Sequence, residues 1–193
     1  LGIKLHRCHF DTRSYAEARK ISIEMAAREL RYRYFEQLRQ DIGAEAICVA
    51  HHQDDSIETL LMNLIRGTGI NGLKGIQPIN GHIIRPLLCV GRKDIEDYLN
   101  SLGQDYVTDS TNLVDDVMRN KIRLNVIPLL ETINPNVRKN IFSTSLNISE
   151  SIKVFDSSIS RSVTEVFNAG KIDISKLKSQ PSPEYALFHI LRK

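Results

Sequence analysis

Cysteine is scarce and badly placed for pairing: Cys8, Cys48 and Cys89 are the three in 193 residues, with no C-x-x-C among them. An odd, dispersed set of thiols suits a reducing, cytoplasmic setting. It provides neither a disulfide framework nor the four ligands of a structural zinc site or an iron–sulfur cluster. Long hydrophobic runs are missing too. No stretch approaches the ~20 apolar residues of a membrane span, and the residues from Leu1 onward carry no signal-peptide pattern, so no membrane partner is expected. Internal repeats and low-complexity tracts are also absent. What remains is ordinary globular composition, 41% hydrophobic and 25% charged, enough for one core and the start of a second. Leu1 in place of Met, and a final "PSPEYALFHILRK" that reads as an uncapped helix, look like cut ends.

The net charge of +3 conceals a division. Residues 1–40 carry nine Lys/Arg against five Asp/Glu, residues 41–110 five against ten, and residues 111–193 twelve against eight. A cation-binding centre beside a polyanion-binding surface would produce this arrangement, and so would chance.

The periodicity of "ISIEMAARELRYRYFEQLRQDIG" predicts a helix with Ser22 as N-cap and Gly43 at its end. "AICVA" (46–50) predicts a strand buried on both faces in a parallel sheet. "DSIETLLMNLIRG" then predicts a second helix, capped by Asp55 with Glu58 three residues on and stopped at Gly67. Helix, buried strand, helix is the rhythm of a doubly wound α/β domain. "HIIRPLL" (82–88) reads as another strand and "RKDIEDYLNSLG" as a helix ending on Gly103. Beyond "YVTDSTN", "VMRNKIRLNVIPLLETI" is helical, with Pro128 expected to end or kink it. After Asn134-Pro135, the stripe Val137, Ile141, Ile148, Ile152, Phe155, Ile159, Val163 and Val166 predicts a long connecting helix that ends at Gly170. Such an apolar stripe also suits a homodimer.

Between the buried run and the amphipathic one lies His51-His52-Gln53-Asp54-Asp55-Ser56. Open parallel sheets bind ligands outside the carboxyl ends of their strands, which is where this cluster falls. The residues alone leave three readings: a helix cap with two partly exposed histidines, an anion site on free N–H groups, or Mg²⁺ held through Asp55 and bridging to phosphates. Zinc is less suited, since the spacing is not H-E-x-x-H. "GTGINGLKG" is a literal G-x-G-x-x-G, but it follows a helix rather than a strand; with Arg66 and Lys74 it is either a loop able to close over a polyanion or a plain connector. Arg28 and Arg31 share a helix face, and Arg119 and Arg123 stand one turn apart. Both pairs are either phosphate contacts or surface charge.

Five stretches, in order, resemble one family: "SIEMAARELRYRYFEQL", "VAHHQDDSIETLLMNLIRGTGINGLKGI", "IIRPLL", "YVTDSTN" and "RNKIR". They are similar to the tRNA(Ile)-lysidine synthetases, N-type PP-loop ATP pyrophosphatases, over roughly residues 1–135. From there onward the likeness is one of architecture. It implies a partial doubly wound parallel-sheet domain (adenine nucleotide alpha hydrolase-like) over 1–110 and a helical subdomain with a long linker helix over 111–170. The start of a C-terminal tRNA-binding domain would occupy 171–193. The implied chemistry is adenylation of C2 of the wobble cytidine in isoleucine tRNA with a CAU anticodon. L-lysine then displaces AMP. ATP and Mg²⁺ are the implied cofactors, with Mg²⁺ at Asp55. By the same resemblance His51, Asp55, Arg31 and Arg123 are catalytic, and Arg31, His51 and Arg123 lie near the nucleotide. Glu58 (on the exposed side of its helix), Arg66, Arg28 and Arg119 belong to the substrate side. The family's Ser-Gly-Gly-x-Asp-Ser phosphate loop does not occur in this sequence, so the chain alone is expected not to complete adenylation. Three rivals stay in view: a PP-loop tRNA thiolase or amide-forming ATP pyrophosphatase, a non-catalytic basic RNA-binding fragment, and a metal-dependent phosphohydrolase using His51, His52, Asp54 and Asp55.

Overall fold

The structure is a computed structural model that describes residues 2–107 and 118–192. Residues 108–112 of the "YVTDSTN" motif, and the boundary expected near residue 110, lie outside the described residues. By their internal contacts the residues form two compact units, one of 1–51 with 77–88 and one of 52–76 with 89–193.

The first unit opens with α1 (Thr12–Arg19) and α2 (Ile23–Asp41). Asp11 caps α1 by accepting the Ser14 N–H at 3.0 Å. Ser22 caps α2 as its sequence predicts, taking the Met25 N–H at 3.2 Å. Gly43, at φ +66°, supplies the left-handed turn after α2 that a β-carbon would resist. Ala16, Ala26 and Leu30 are buried where the two helices pack. Three short strands follow, β1 (Ile47–Cys48), β2 (Ile79–Asn80) and β3 (Ile83–Ile84), in the order β1-β3-β2. β1 runs parallel to β3, with Ile47 opposite Ile83 and Cys48 opposite Ile84, while β2 is antiparallel. The expected burial of "AICVA" on both faces is wrong: Ile47 and Val49 are half-buried while Ala46, Cys48 and Ala50 on the other face are exposed, and among the described residues β1 pairs only with β3. "HIIRPLL" gives only β3 before Pro86, which has no N–H to donate, opens a 3₁₀ turn (Pro86–Cys89).

The second unit is mostly helical: α3 (Gln53–Arg66), α4 (Arg92–Ser101), α5 (Met118–Lys121), α6 (Ile127–Ile133), α7 (Val137–Val166), α8 (Ile174–Lys178) and α9 (Pro183–Leu191). Ile57, Leu60 and Leu61 of α3 form one core with Ile122 and Ile127, and Ile141 and Phe142 of α7 pack on it. Each fully buried isoleucine here contributes about 1.5–3 kcal/mol through the apolar area it removes from water.

Pro128 does not end its helix. Residues Ile122–Val126 widen into a π turn, with the Ile127 N–H bonded to the Ile122 carbonyl, and α6 continues with Pro128 in its first turn. There the missing N–H is tolerated. α7 is 30 residues, about 45 Å, and ends at Val166 rather than Gly170. A hairpin of β4 (Phe167–Asn168) and β5 (Lys171–Ile172) takes over, turning at Gly170, φ +76°. Val163 and Val166 of α7 join Leu177, Ala186 and Ile190 in a second core, so α7 has a core at each end. Its predicted stripe is buried or half-buried within the chain, with Phe155 edge-on to Tyr185 of α9 at 5.2 Å. Among the described residues, no helix is long and apolar enough to cross a membrane.

Candidate active site

The polar cluster opens α3, but not as its local pattern suggests. His52, in extended geometry, is the N-cap, and Asp55 is the third helical residue. Asp55 Oδ2 accepts the backbone N–H of His52 at 3.0 Å, the reciprocal half of a capping box. The helix therefore starts at Gln53, whose N–H donates to the Val90 carbonyl at 2.9 Å. Asp54 is used differently. Its Oδ2 takes the backbone N–H of Arg92 at 2.8 Å, at the start of α4, and its Oδ1 takes Arg138 Nη1 at 2.6 Å, from the first turn of α7. Burial pushes the Asp54 carboxyl up, but the Arg92 N–H and the Arg138 guanidinium outweigh it and leave the group below its ordinary range. Arg138 also holds Glu131 at 2.7 Å, so one arginine ties the start of α3 to the α6–α7 junction.

Glu58 is buried, 1% exposed, and its expected place on the exposed side of α3 is wrong. With the helix starting at Gln53, it sits beside Ile57 and Leu61 on the covered side. A carboxylate there needs a partner. Arg123, in the π turn, supplies a bidentate one: Nε to Oε1 at 2.6 Å and Nη2 to Oε2 at 3.0 Å. This contact raises the Arg123 pKa further. Arg119 lies between carboxylates, Nε 3.7 Å from Glu58 and Nη1 3.7 Å from Asp55, with Nη2 on the Thr59 hydroxyl at 3.1 Å. Asp54, Glu58, Arg92, Arg123, Arg138 and His52 line a cavity of about 440 Å³. His52 Nδ1 is buried there with no hydrogen-bond partner among the described residues.

Within the second unit the structure thus brings together Asp55, Glu58, Arg119 and Arg123. Arg66 is exposed at the far end of α3, about 16 Å along the helix from Asp55. The glycine loop is anchored rather than loose. Asn63 Nδ2 donates to the Gly72 carbonyl at 2.8 Å, and the Ile76 N–H donates to Ser56 Oγ at 3.0 Å. Gly75 has φ +63°, and a β-carbon there would stand 2.3 Å from Ser56 Oγ, so only glycine permits this approach. In the first unit, Arg28 and Arg31 are exposed on α2, with Arg28 5.0 Å over the Tyr32 ring. His51 follows β1, and its Nδ1 accepts from Nε of the buried Arg85 at 3.2 Å.

Arg85, Asp54 as a structural anchor, and Arg138 escaped sequence reasoning. A lone charge inside the apolar "IIRPLL" was one available signal. A basic residue in the first turn of a helix, at the wrong end of the dipole, was another.

The fit to Mg²⁺ follows from the donors. Both Asp54 oxygens are engaged, whereas among the described residues Asp55 Oδ1 has only Arg119, at 3.7 Å. Among the described residues no group of three or more His, Cys, Asp or Glu could hold a metal. Mg²⁺ usually takes one or two carboxylates and completes its shell with water and phosphate, so Asp55 fits as a single anchor. The same engagement of Asp54 argues against a four-residue phosphohydrolase site.

The first unit thus pairs two short parallel strands with the Arg85–His51 contact at their ends, and the second sets arginines on the buried Glu58 and the half-buried Asp54 near the start of α3. The family model described as the PP-loop domain matches residues 1–130, and the chain belongs to that family. Its relatives narrow this further. It is 52% identical over 190 residues to the tRNA(Ile)-lysidine synthase of Bacteroides thetaiotaomicron, covering 98% of this chain and 45% of that protein. The tRNA(Ile)-lysidine synthase of Parabacteroides distasonis is 48% identical over 194 residues, 100% of this chain and 44% of that protein. That of Dehalococcoides mccartyi is 35% identical over 175 residues, 86% and 37%. The chain therefore spans less than half the length of these curated relatives.

Proposed function

We propose that this chain is the part of a tRNA(Ile)-lysidine synthase that carries most of its nucleotide and cytidine chemistry. The reaction joins L-lysine to C2 of the wobble cytidine of isoleucine tRNA with a CAU anticodon. ATP adenylates that position and releases pyrophosphate, and the lysine amine displaces AMP. The observation that carries the reading is the 52% identity to a protein of that name across 98% of this chain.

The geometry supports it. Arg123, on the buried Glu58, lines the cavity, and Arg119 stands 3.7 Å from both Glu58 and Asp55; guanidinium groups of this kind suit phosphoryl oxygens. Mg²⁺ at Asp55 would neutralise charge on the departing pyrophosphate. Arg31 and His51 would serve the nucleotide, and Glu58, Arg66, Arg28 and Arg119 the tRNA and lysine. Residues 1–110 would form the catalytic domain, 111–170 the helical subdomain and linker helix, and 171–193 the start of a tRNA-binding domain in a cytoplasmic enzyme. The chain would form a homodimer, although the α7 stripe that suits one is partly used within the chain, Ile152, Val163 and Val166 being buried and the rest half-buried.

The test is a chimera in which this chain replaces the matching stretch of the Bacteroides relative, given labelled lysine, Mg-ATP and unmodified isoleucine tRNA. Lysine should enter the tRNA with release of AMP, and Asp55→Ala should lower the rate roughly 10²-fold or more. A folded chimera that binds tRNA and incorporates no lysine would overturn the reading. Sulfur incorporation would replace it with thiolation, and salt-steep binding indifferent to Asp55→Ala with a binding-only role.

A further inference from the structure

Arg85 is buried to 7% exposure, unusual for an arginine, and the reaction above gives it no task. Its place follows from the sheet. β1 and β3 run parallel with Cys48 opposite Ile84, so the chain leaves both strands at the same end. His51 lies three residues beyond Cys48, and Arg85 one residue beyond Ile84. The Arg85 backbone is fixed by its N–H on the Pro78 carbonyl at 2.9 Å, and Nη1 donates to the Gln77 carbonyl at 2.7 Å. Nε then points at Nδ1 of His51, 3.2 Å away.

A guanidinium has five N–H donors, no acceptor, and keeps its proton under all ordinary conditions. The atom it meets must present a lone pair. A His51 Nδ1 that accepts from Arg85 carries no hydrogen, which places the imidazole proton on Nε2.

We propose that Arg85 is a positioning residue that locks His51 as the neutral, Nε2-protonated tautomer, so that the ring meets its ligand as a hydrogen-bond donor to a phosphoryl oxygen. The ligand's identity rests on the function proposed above; the tautomer does not. A ring held this way is no base for the incoming amine, because Nε2 already bears a proton and Nδ1 is taken. His51 orients and stabilises an anion, and another group accepts the amine proton.

The 193-residue chain, labelled with ¹⁵N, decides the first half. Long-range ¹H–¹⁵N spectra of the His51 ring, assigned by difference from His51→Gln, should show the Nε2-protonated pattern at neutral pH, and Arg85→Met should lose it. A native ring protonated on Nδ1 or on both nitrogens overturns the proposal, as does an unchanged pattern in a folded Arg85→Met. Should Arg85→Met not fold, His51→Ala is read from the other side. Hydrogen exchange at Arg85 Nε–H should accelerate about tenfold, the worth of one hydrogen bond, and unchanged protection refutes the pairing. In the chimera, Arg85→Met should cut the lysine-incorporation rate on the order of 10²-fold at unchanged KM for lysine. An inactive chimera with the Nε2 pattern intact would refute lysidine formation and spare the tautomer. An active one with the wrong tautomer would refute Arg85 alone.

Discussion

Arg123→Met removes the bidentate partner of a carboxylate that is 1% exposed. Breaking a buried ion pair from one side costs about 3–5 kcal/mol, since the surviving charge is stranded away from water. Two features of the structure hold the figure to the lower end, about 3 kcal/mol. Arg119 remains 3.7 Å from Glu58, and the Arg123 side chain is itself 20% exposed. Glu58→Met should cost less, about 1–2 kcal/mol, because Arg123 still feels Asp54 and Asp55 and reaches water. The double variant replaces the pair by apolar groups and should return to within about 1 kcal/mol of the native chain. Urea denaturation of the four proteins at pH 7 reads the cycle, with a coupling of about 3–5 kcal/mol expected. In a thermal scan, Arg123→Met should melt about 6–12 °C lower. A loss below about 1 kcal/mol, or a double variant equal to the sum of the singles, would refute the view that Glu58 is buried on the strength of Arg123.

Two further outcomes follow from the same region. The Asp54 carboxyl is held below its ordinary 3.8, so its stabilising contribution is present above that value and lost as pH falls through the lower folded value. Stability measured from pH 6 to pH 2 should fall more steeply below about 4 in the native chain than in Asp54→Asn, and parallel curves would refute the Arg92 and Arg138 contacts. Gly75→Ala adds a β-carbon 2.3 Å from Ser56 Oγ at φ +63°, whereas Gly43→Ala meets only the backbone strain. The former should cost about 2 kcal/mol or more and the latter about 1, and equal losses would remove the close-packing explanation.

What could be read from the sequence was local. Ser22 and Gly43 bound α2 because caps act within a few residues, and α4 ends before Gly103 for the same reason. The start of α3 was misplaced because His52, Asp54, Asp55 and Ser56 all look like starting signals. The choice is made by the Val90 carbonyl and the Asp55 side chain. Glu58 was assigned to the wrong side because its partner lies 65 residues away, in a π turn that the spacing of apolar residues does not announce. Arg85 and His51 meet only because two short strands are parallel and in one register. No window along the chain contains both.

The long helix α7 has a mechanical consequence. Its first turn holds Asp54 through Arg138, and its last turns are set in a separate core. From Arg138 to Val163 it is a strut of roughly 37 Å. A tilt of about 3° at the far core swings Arg138 by about 2 Å, more than a 2.6 Å hydrogen bond survives. Whatever load falls on β4, β5, α8 and α9 is thus carried, lever-like, along α7 to the Arg138–Asp54 contact at the start of α3.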